Sequence, residues 1–343
     1  MSPRLVFWVL VVLGFILVFA VLFALLDLLL WLGLRAFLSP RALRTVFCIV
    51  DAGLLLWLVG AVLVGHYHTR LQVEVTHVEV RSPRLPHSFD GLRVAHISDF
   101  HIDSFDTISD RPFMDKLADI LRSERPDLIC FTGDLVTIAS PEARPWRDVL
   151  ARLAAQEDVP VFAILGNHDY ADYVRDVDEA WRTADRDHLR RMLTAAGWQL
   201  LDNRSTLLRR GGDSIAIVGV GNIGEPPFAT YGDLGAALQD VGGRAVADSM
   251  FTILLSHNPV HWRQEILPET SIDLTLSGHT HAMQVRLFGW SPSSLRYREW
   301  AGLYREGGQY LYVNTGLGCT GPRIRIGVPP EVTVLTLRSA AAQ

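Results

Sequence analysis

The chain has 343 residues, a length that allows two domains at most, and a formal net charge of −5. It has no long basic run, which excludes partners held by bulk positive charge, nucleic acid above all. Its three cysteines, Cys48, Cys130 and Cys319, form no C-x-x-C pair, which excludes a zinc ribbon and a disulfide framework.

Two apolar runs open the chain. Leu5 to Leu32 carries Asp27 as its only charge and exceeds the roughly 20 residues a helix needs to cross a bilayer. Val46 to Val64 follows, with Asp51 near its start. The linker Gly33 to Thr45 holds Arg35, Arg41 and Arg44. This predicts a transmembrane helical hairpin over residues 1–70 and a separate domain over 71–343. A cleaved signal peptide fits less well, because the first run is too long, lacks a small-x-small site, and leaves the second run in place. The linker arginines favour a cytoplasmic turn, against Arg4, Arg70, Arg81 and Arg84. The expectation is a multi-pass protein of the cell membrane with its large domain outside the cytoplasm. His66-x-His68, just after the second run, reads as interfacial.

Beyond Leu71 the pattern is that of a soluble protein. Val73, Val75, Val78 and Val80 alternate with polar residues, as in a half-buried strand. Strands are predicted at Leu92–Ser98, Asp127–Phe131 and Val159–Leu165, with helices at Pro112–Ser123 and Pro145–Gln156 between and around them. Further strands are predicted at Ser214–Val220, Phe251–Leu255, Leu274–Leu276, Tyr310–Val313 and Val332–Leu337. Helices early and strands late indicate an α/β sandwich with mixed sheets.

Several of these strands end in a cluster of Asp, Asn or His: Asp99-x-His101, Gly133-Asp134, Gly166-Asn167-His168-Asp169, Ser256-His257 and Gly278-His279-Thr280-His281. Sites in open α/β sheets form outside the carboxyl ends of strands, so these clusters are expected to converge. Carboxylate, imidazole and amide oxygen suit divalent Mn, Fe or Zn. Asp99, His101, Asp134, Asn167, His257, His279 and His281 are too many for one ion; two ions sharing a carboxylate would use them all. Each signal alone is common, since a lone GD is usually a turn and a lone core His is usually structural. The ordered conjunction is not common.

In that order the motifs DxH, GD, GNHD, H and GHTH resemble the calcineurin-like metallophosphoesterases. The resemblance spans Leu92 to Leu337, and the tail from Gly316 to Glu331 is similar to the YaeI/YkuE-like branch, which is often exported or membrane-associated. It implies a four-layer αββα sandwich of two mixed sheets, here preceded by two transmembrane helices. It also implies ligand roles: Asp99, His101 and His281 for a first metal, Asn167, His257 and His279 for a second, Asp134 bridging. His168 would protonate the leaving group and Asp169 would orient it. The implied reaction is phosphoester hydrolysis by a hydroxide shared between two cations. A phosphodiesterase is favoured over a phosphomonoesterase or protein phosphatase, and a non-catalytic scaffold is disfavoured by the complete ligand set. Membrane anchoring suggests a lipid-linked or envelope phosphoester as substrate. Where many members of the family continue Gly-Gly after GHTH, this chain has Ala282-Met283, expected to narrow that side of the pocket. Arg323 and Arg325 read as solvated or loop-bracing.

Overall fold

The structure is a computed structural model that describes residues 20–155 and 159–340. The chain divides into two compact units, Met1–Leu63 and Val64–Gln343.

In the first unit, helix α1 covers Ala20–Leu34 among the described residues, shorter than a bilayer requires. Residues 5–19 of the first predicted membrane run lie outside the described residues. Helix α2 begins at Pro40 and runs to Tyr67, into the second unit. Among the described residues, the segment Pro40–Leu71 is the one helical stretch long and apolar enough to cross a membrane, with mean hydropathy 2.4.

The second unit holds two mixed six-stranded sheets. The strands are β1 Glu74–Ser82, β2 Arg93–Ile97, β3 Leu128–Phe131, β4 Val161–Ala163, β5 Trp198–Leu200, β6 Arg204–Arg210, β7 Asp213–Gly219, β8 Thr252–Leu255, β9 Leu274–Ser277, β10 Gly302–Glu306, β11 Gln309–Val313 and β12 Glu331–Ser339. The first sheet runs β1-β12-β2-β3-β4-β5 and the second β10-β11-β9-β8-β7-β6. In the first, β2 to β5 are parallel and β12 is antiparallel to β2. In the second, β11, β9, β8 and β7 are parallel, with an antiparallel strand at each edge.

Side-chain alternation sorts each strand between two apolar layers. Val94, Leu128 and Cys130 share one buried cluster with Ile215, Ile253 and Leu255 of the other sheet. Their neighbours Ala95, Ile97, Ile129 and Phe131 pack instead with Phe113, Leu117, Val149 and Leu189. Those four come from helices α3 Arg111–Ser123, α4 Arg147–Ala154 and α5 Glu179–Ala195. On the far side, Ala216, Val218, Leu254 and Leu311 cluster with Leu234, Trp262 and Ile266.

The predicted strands appear within a few residues of their expected ends. Residues 170–212 carried no prediction, yet they form α5, β5 and β6. Helix α5 is largely polar outside its buried Leu189, Met192 and Leu193, but Asp178 caps it by accepting from Trp181 N at 2.8 Å. The β6–β7 hairpin turns on Gly211-Gly212, both at positive φ, a signal present in the sequence. The predicted helix from Pro145 begins as a 3₁₀ segment, Ser140–Trp146, before α4.

Candidate metal centre

The seven residues converge because three parallel strands of the first sheet and two of the second end on the same side. Asp99 and His101 follow β2, Asp134 follows β3, and Asn167 follows β4; His257 follows β8, and His279 and His281 follow β9. The loops are latched to one another: Asp99 N donates to Gly133 O at 2.9 Å and Gly278 N to His257 O at 3.0 Å. A Cβ on Gly166 would strike the Asp134 carboxylate, and one on Gly278 the Asp99 carboxylate. The glycines of GNHD and GHTH are therefore required by close approach.

Asp99, His101 and His281 form one group whose ligand atoms lie within 4.8 Å of one another; Asp134, His257 and His279 form a second within the same limit. Asp134 faces both, with Oδ2 at 3.1 Å from His257 Nε2 and 3.5 Å from His101 Nε2. Asn167 Oδ1 lies 3.1 Å from His257 Nε2 and 2.9 Å from His279 Nδ1. Asp99 Oδ1 lies 3.2 Å from His281 Nε2. Two carboxylates and four imidazoles, all buried except the half-buried His279, converge on shared space. That donor set fits two divalent cations.

The backbone is strained at five of these positions. Asp99, His101, Asp134, His279 and His281 have φ of 50°, 38°, 58°, 73° and 49°. Left-handed non-glycine residues cost about 1–3 kcal/mol each and cluster where a site dictates geometry. Ala282 and Met283 continue this run at φ 49° and 47°, the region glycine favours. Ala282 is fully buried and Met283 half exposed.

Outer contacts fix most of the rings. His257 Nδ1 donates to Thr132 O at 2.7 Å, which leaves Nε2 for the site. His101 Nδ1 meets Thr137 Oγ1 at 3.1 Å, and His279 Nε2 meets the Tyr297 hydroxyl at 3.0 Å. His281 differs, because its Nδ1 faces the Arg325 guanidinium at 3.4 Å. Thr320 Oγ1 lies between His101 Nε2 and His281 Nε2, at 3.0 and 3.2 Å. Burial pushes His101 down to about 4 and His279 down to about 3. Burial opposes charge on Asp134 as well, but His257 and His168 outweigh it and hold the carboxyl well below its usual range. Burial lowers His257 too, yet the Asp134 charge and hydrogen bond carry it up to about 9.

His168 sits beside these groups and forms a third within the same 4.8 Å limit with His101 and Asp134; its ring centroid lies 4.8 Å from that of His101. Its Nδ1 donates to Thr137 O at 2.6 Å. The hydrogen-bond partner of this ring is thus Thr137, at the place expected for Asp169. Among the described residues Asp169 shares no hydrogen bond with His168; its carboxylate accepts from the backbone of Asp134, Leu135, Val136 and Gly166 at 2.8 to 3.1 Å. Asp169 braces the loop that carries Asp134.

Sequence reasoning did not single out Thr137, Thr320, Tyr173 or Tyr297. Tyr173 receives a hydrogen bond from Asn167 Nδ2 at 2.8 Å, and its ring lies 4.5 Å from that of His168. Nothing local marks Tyr297; Thr320 belongs to the Gly-rich tail already noted. Arg325 is fully buried and donates to Gly318 O and Thr315 O at 2.5 to 3.1 Å, the loop-bracing role.

Residues 92–283 match the family model described as calcineurin-like phosphoesterase. This chain belongs to the calcineurin-like phosphoesterases. It is similar to the Bacillus subtilis uncharacterized metallophosphoesterase YkuE, 30% identical over 78% of this chain and 86% of that one. It is also similar to the UDP-2,3-diacylglucosamine pyrophosphatase LpxG of Chlamydia trachomatis, 30% identical over 87% of this chain and 98% of that one. A Bos taurus transmembrane protein with metallophosphoesterase domain is 30% identical over 78% of this chain, which spans 57% of that protein. The family is one of phosphoric ester hydrolases with a dimetal centre, and this calcineurin-like phosphoesterase carries candidate residues for both ions.

Proposed function

We propose that this protein is a membrane-anchored, two-metal phosphodiesterase whose substrate is a lipid-linked phosphoester. The observation that carries the reading is Asp134 facing both groups of candidate ligands at 3.1 and 3.5 Å. Asp99, His101 and His281 would hold one ion and Asn167, His257 and His279 the other, with Asp134 shared. The fold would be the four-layer αββα sandwich, preceded by two membrane helices over residues 1–70, with the catalytic domain outside the cytoplasm. When bound, the two ions supply a nucleophile from water near neutral pH and offset charge on the phosphoryl oxygens.

The chain's own residues supply the rest. A carbonyl only accepts, so Thr137 O fixes the proton on His168 Nδ1, which would leave Nε2 to face the substrate. Protonated there, His168 would hand its proton to the leaving oxygen. Asp169 would keep the Asp134 loop in place through its four backbone donors. A substrate with a diacyl sugar joined through pyrophosphate, as the LpxG name prints, supports the lipid-linked class, as does the apolar helix before the domain.

The test is metal analysis of the purified protein together with rates on bis-p-nitrophenyl phosphate, p-nitrophenyl phosphate and detergent-dispersed lipid diesters. Two metals per chain and preference for diesters support the reading. Preference for the monoester reassigns the enzyme as a phosphomonoesterase. Activity on soluble esters with none on lipids removes the lipid-linked substrate.

A further inference from the structure

We propose that the loop Met283–Leu295, which follows His281, docks on the bilayer surface and so presents the site to phosphoesters held in the membrane. The inference rests on the membrane-anchored reading. Phe288 is fully exposed, and Leu295, Trp290 and Met283 are 81%, 52% and 48% exposed. Four large apolar side chains offered to water on one short segment mark a surface that something apolar covers. From Ala282 to Arg298 the chain carries no carboxylate; of its three arginines, Arg296 pairs with Glu225 at 2.8 Å and Arg298 lies 3.6 and 3.7 Å from Glu299 and Glu306, while Arg286 makes no ion pair among the described residues. Phe288 and Trp290 beside the unpaired Arg286 match the headgroup region of an anionic bilayer.

The tether of the loop selects a bilayer over a protein partner. Ile326 N donates to Gln284 O and Arg286 N to Ile326 O, both at 2.8 Å. The same strap takes the last turn of the apolar helix, which belongs to the same compact unit from Val64 onward. Arg325 N donates to Gly65 O at 3.3 Å, and His66 Nδ1 meets Arg323 O at 2.8 Å. A Cβ on Gly65 would lie 2.9 Å from Arg325 O and from Ile324 Cγ2, so that approach requires glycine. Loop and helix end are thus fastened to one strap, residues 323–326. A helix that leaves the bilayer at Gly65 sets the base of the loop at headgroup level.

The experiment uses the full chain with Cys48→Ser in vesicles of phosphatidylethanolamine and phosphatidylglycerol; Cys130 and Cys319 are buried and escape labelling. Phe288→Cys, Leu295→Cys and, as control, Arg209→Cys on the exposed β6 edge each carry a nitrobenzoxadiazole label. Emission at 288 and 295 is expected to shift to the blue and to be quenched by brominated lipid, with 209 remaining water-like. Water-like emission at 288 and 295 in vesicles that still carry the protein overturns the loop assignment alone. A blue shift without lipid quenching overturns it in favour of a protein contact, such as a second copy. Failure of the protein to float with vesicles overturns the anchoring reading itself. A second arm uses Phe288→Asp with Leu295→Asp: the ratio of the rate on a vesicle-embedded diester to that on bis-p-nitrophenyl phosphate falls about tenfold, as expected for two large apolar contacts. An unchanged ratio removes the docking from catalysis.

Discussion

Arg70 and Asp110 are joined at two points in the interior: Nη1 donates to Oδ2 at 2.8 Å and Nη2 to Oδ1 at 3.1 Å. Both side chains are almost fully buried. A chain that starts at Leu71 loses Arg70 and leaves a buried carboxylate unpaired, a change that costs about 3–5 kcal/mol. A chain that starts at Val64 keeps the pair. The shorter form is expected to unfold at markedly lower denaturant, and chemical unfolding of the two forms side by side checks this. Equal midpoints would show that the pair contributes nothing.

Asp134→Asn keeps the side-chain size and removes the charge between the two groups of candidate ligands. Metal content is expected to fall, and the rate on bis-p-nitrophenyl phosphate to drop at least about 10²-fold, the scale of one lost charge-stabilising group. Elemental analysis and steady-state rates read both. Two bound ions with full activity end the shared-ligand assignment.

His168→Ala is expected to retain the metals. Its rate falls about 10²–10⁴-fold on esters with alkoxide leaving groups and much less on p-nitrophenyl esters, whose leaving group needs no proton. A plot of rate against leaving-group pKa measures this. Equal slopes for parent and variant remove His168 as the acid.

Tyr297→Phe deletes the hydroxyl that meets His279 Nε2 and leaves the ring. Outer-shell partners of this kind are worth about 10–100-fold in metal affinity. Competition with a chelator is expected to show weaker retention of one ion. Unchanged affinity means that the hydroxyl does not orient His279.

Asp273 lies far from this site, at the start of β9, and accepts from Ser82 Oγ and Thr252 N, both at 3.0 Å. Burial, opposed by Arg84, pushes its carboxyl from 3.8 up to about 6. A folded value above the unfolded one means that its stabilisation is complete below the unfolded value and is lost as pH rises through the folded one. Asp273→Asn does not titrate. The stability of the parent relative to the variant is therefore expected to fall by up to about 3 kcal/mol between about pH 4 and about pH 7. Urea unfolding across that range checks the sign; a difference independent of pH contradicts it.

The sequence carried the strand positions and the candidate metal residues, because both depend on local patterns. Alternating or continuous apolar runs define β2, β3, β8 and β9, and a polar cluster closes each run. The sequence did not mark α5, whose buried Leu189, Met192 and Leu193 are spread through polar residues, nor the short strands β5 and β10.

Which partners hold the site was decided by tertiary structure. GNHD sets His168 and Asp169 side by side along the chain, yet the backbone turns Asp169 inward to the Asp134 loop and leaves Thr137 O to face the imidazole. Thr137 lies 31 residues before His168 and Tyr297 lies 18 residues after His279. Contacts at such separations exist only once the folded sheets bring their strand ends and loops together. Residue type can select the donors that bind a cation. The orientation of each donor depends on hydrogen bonds between loops, and those form only in the folded chain.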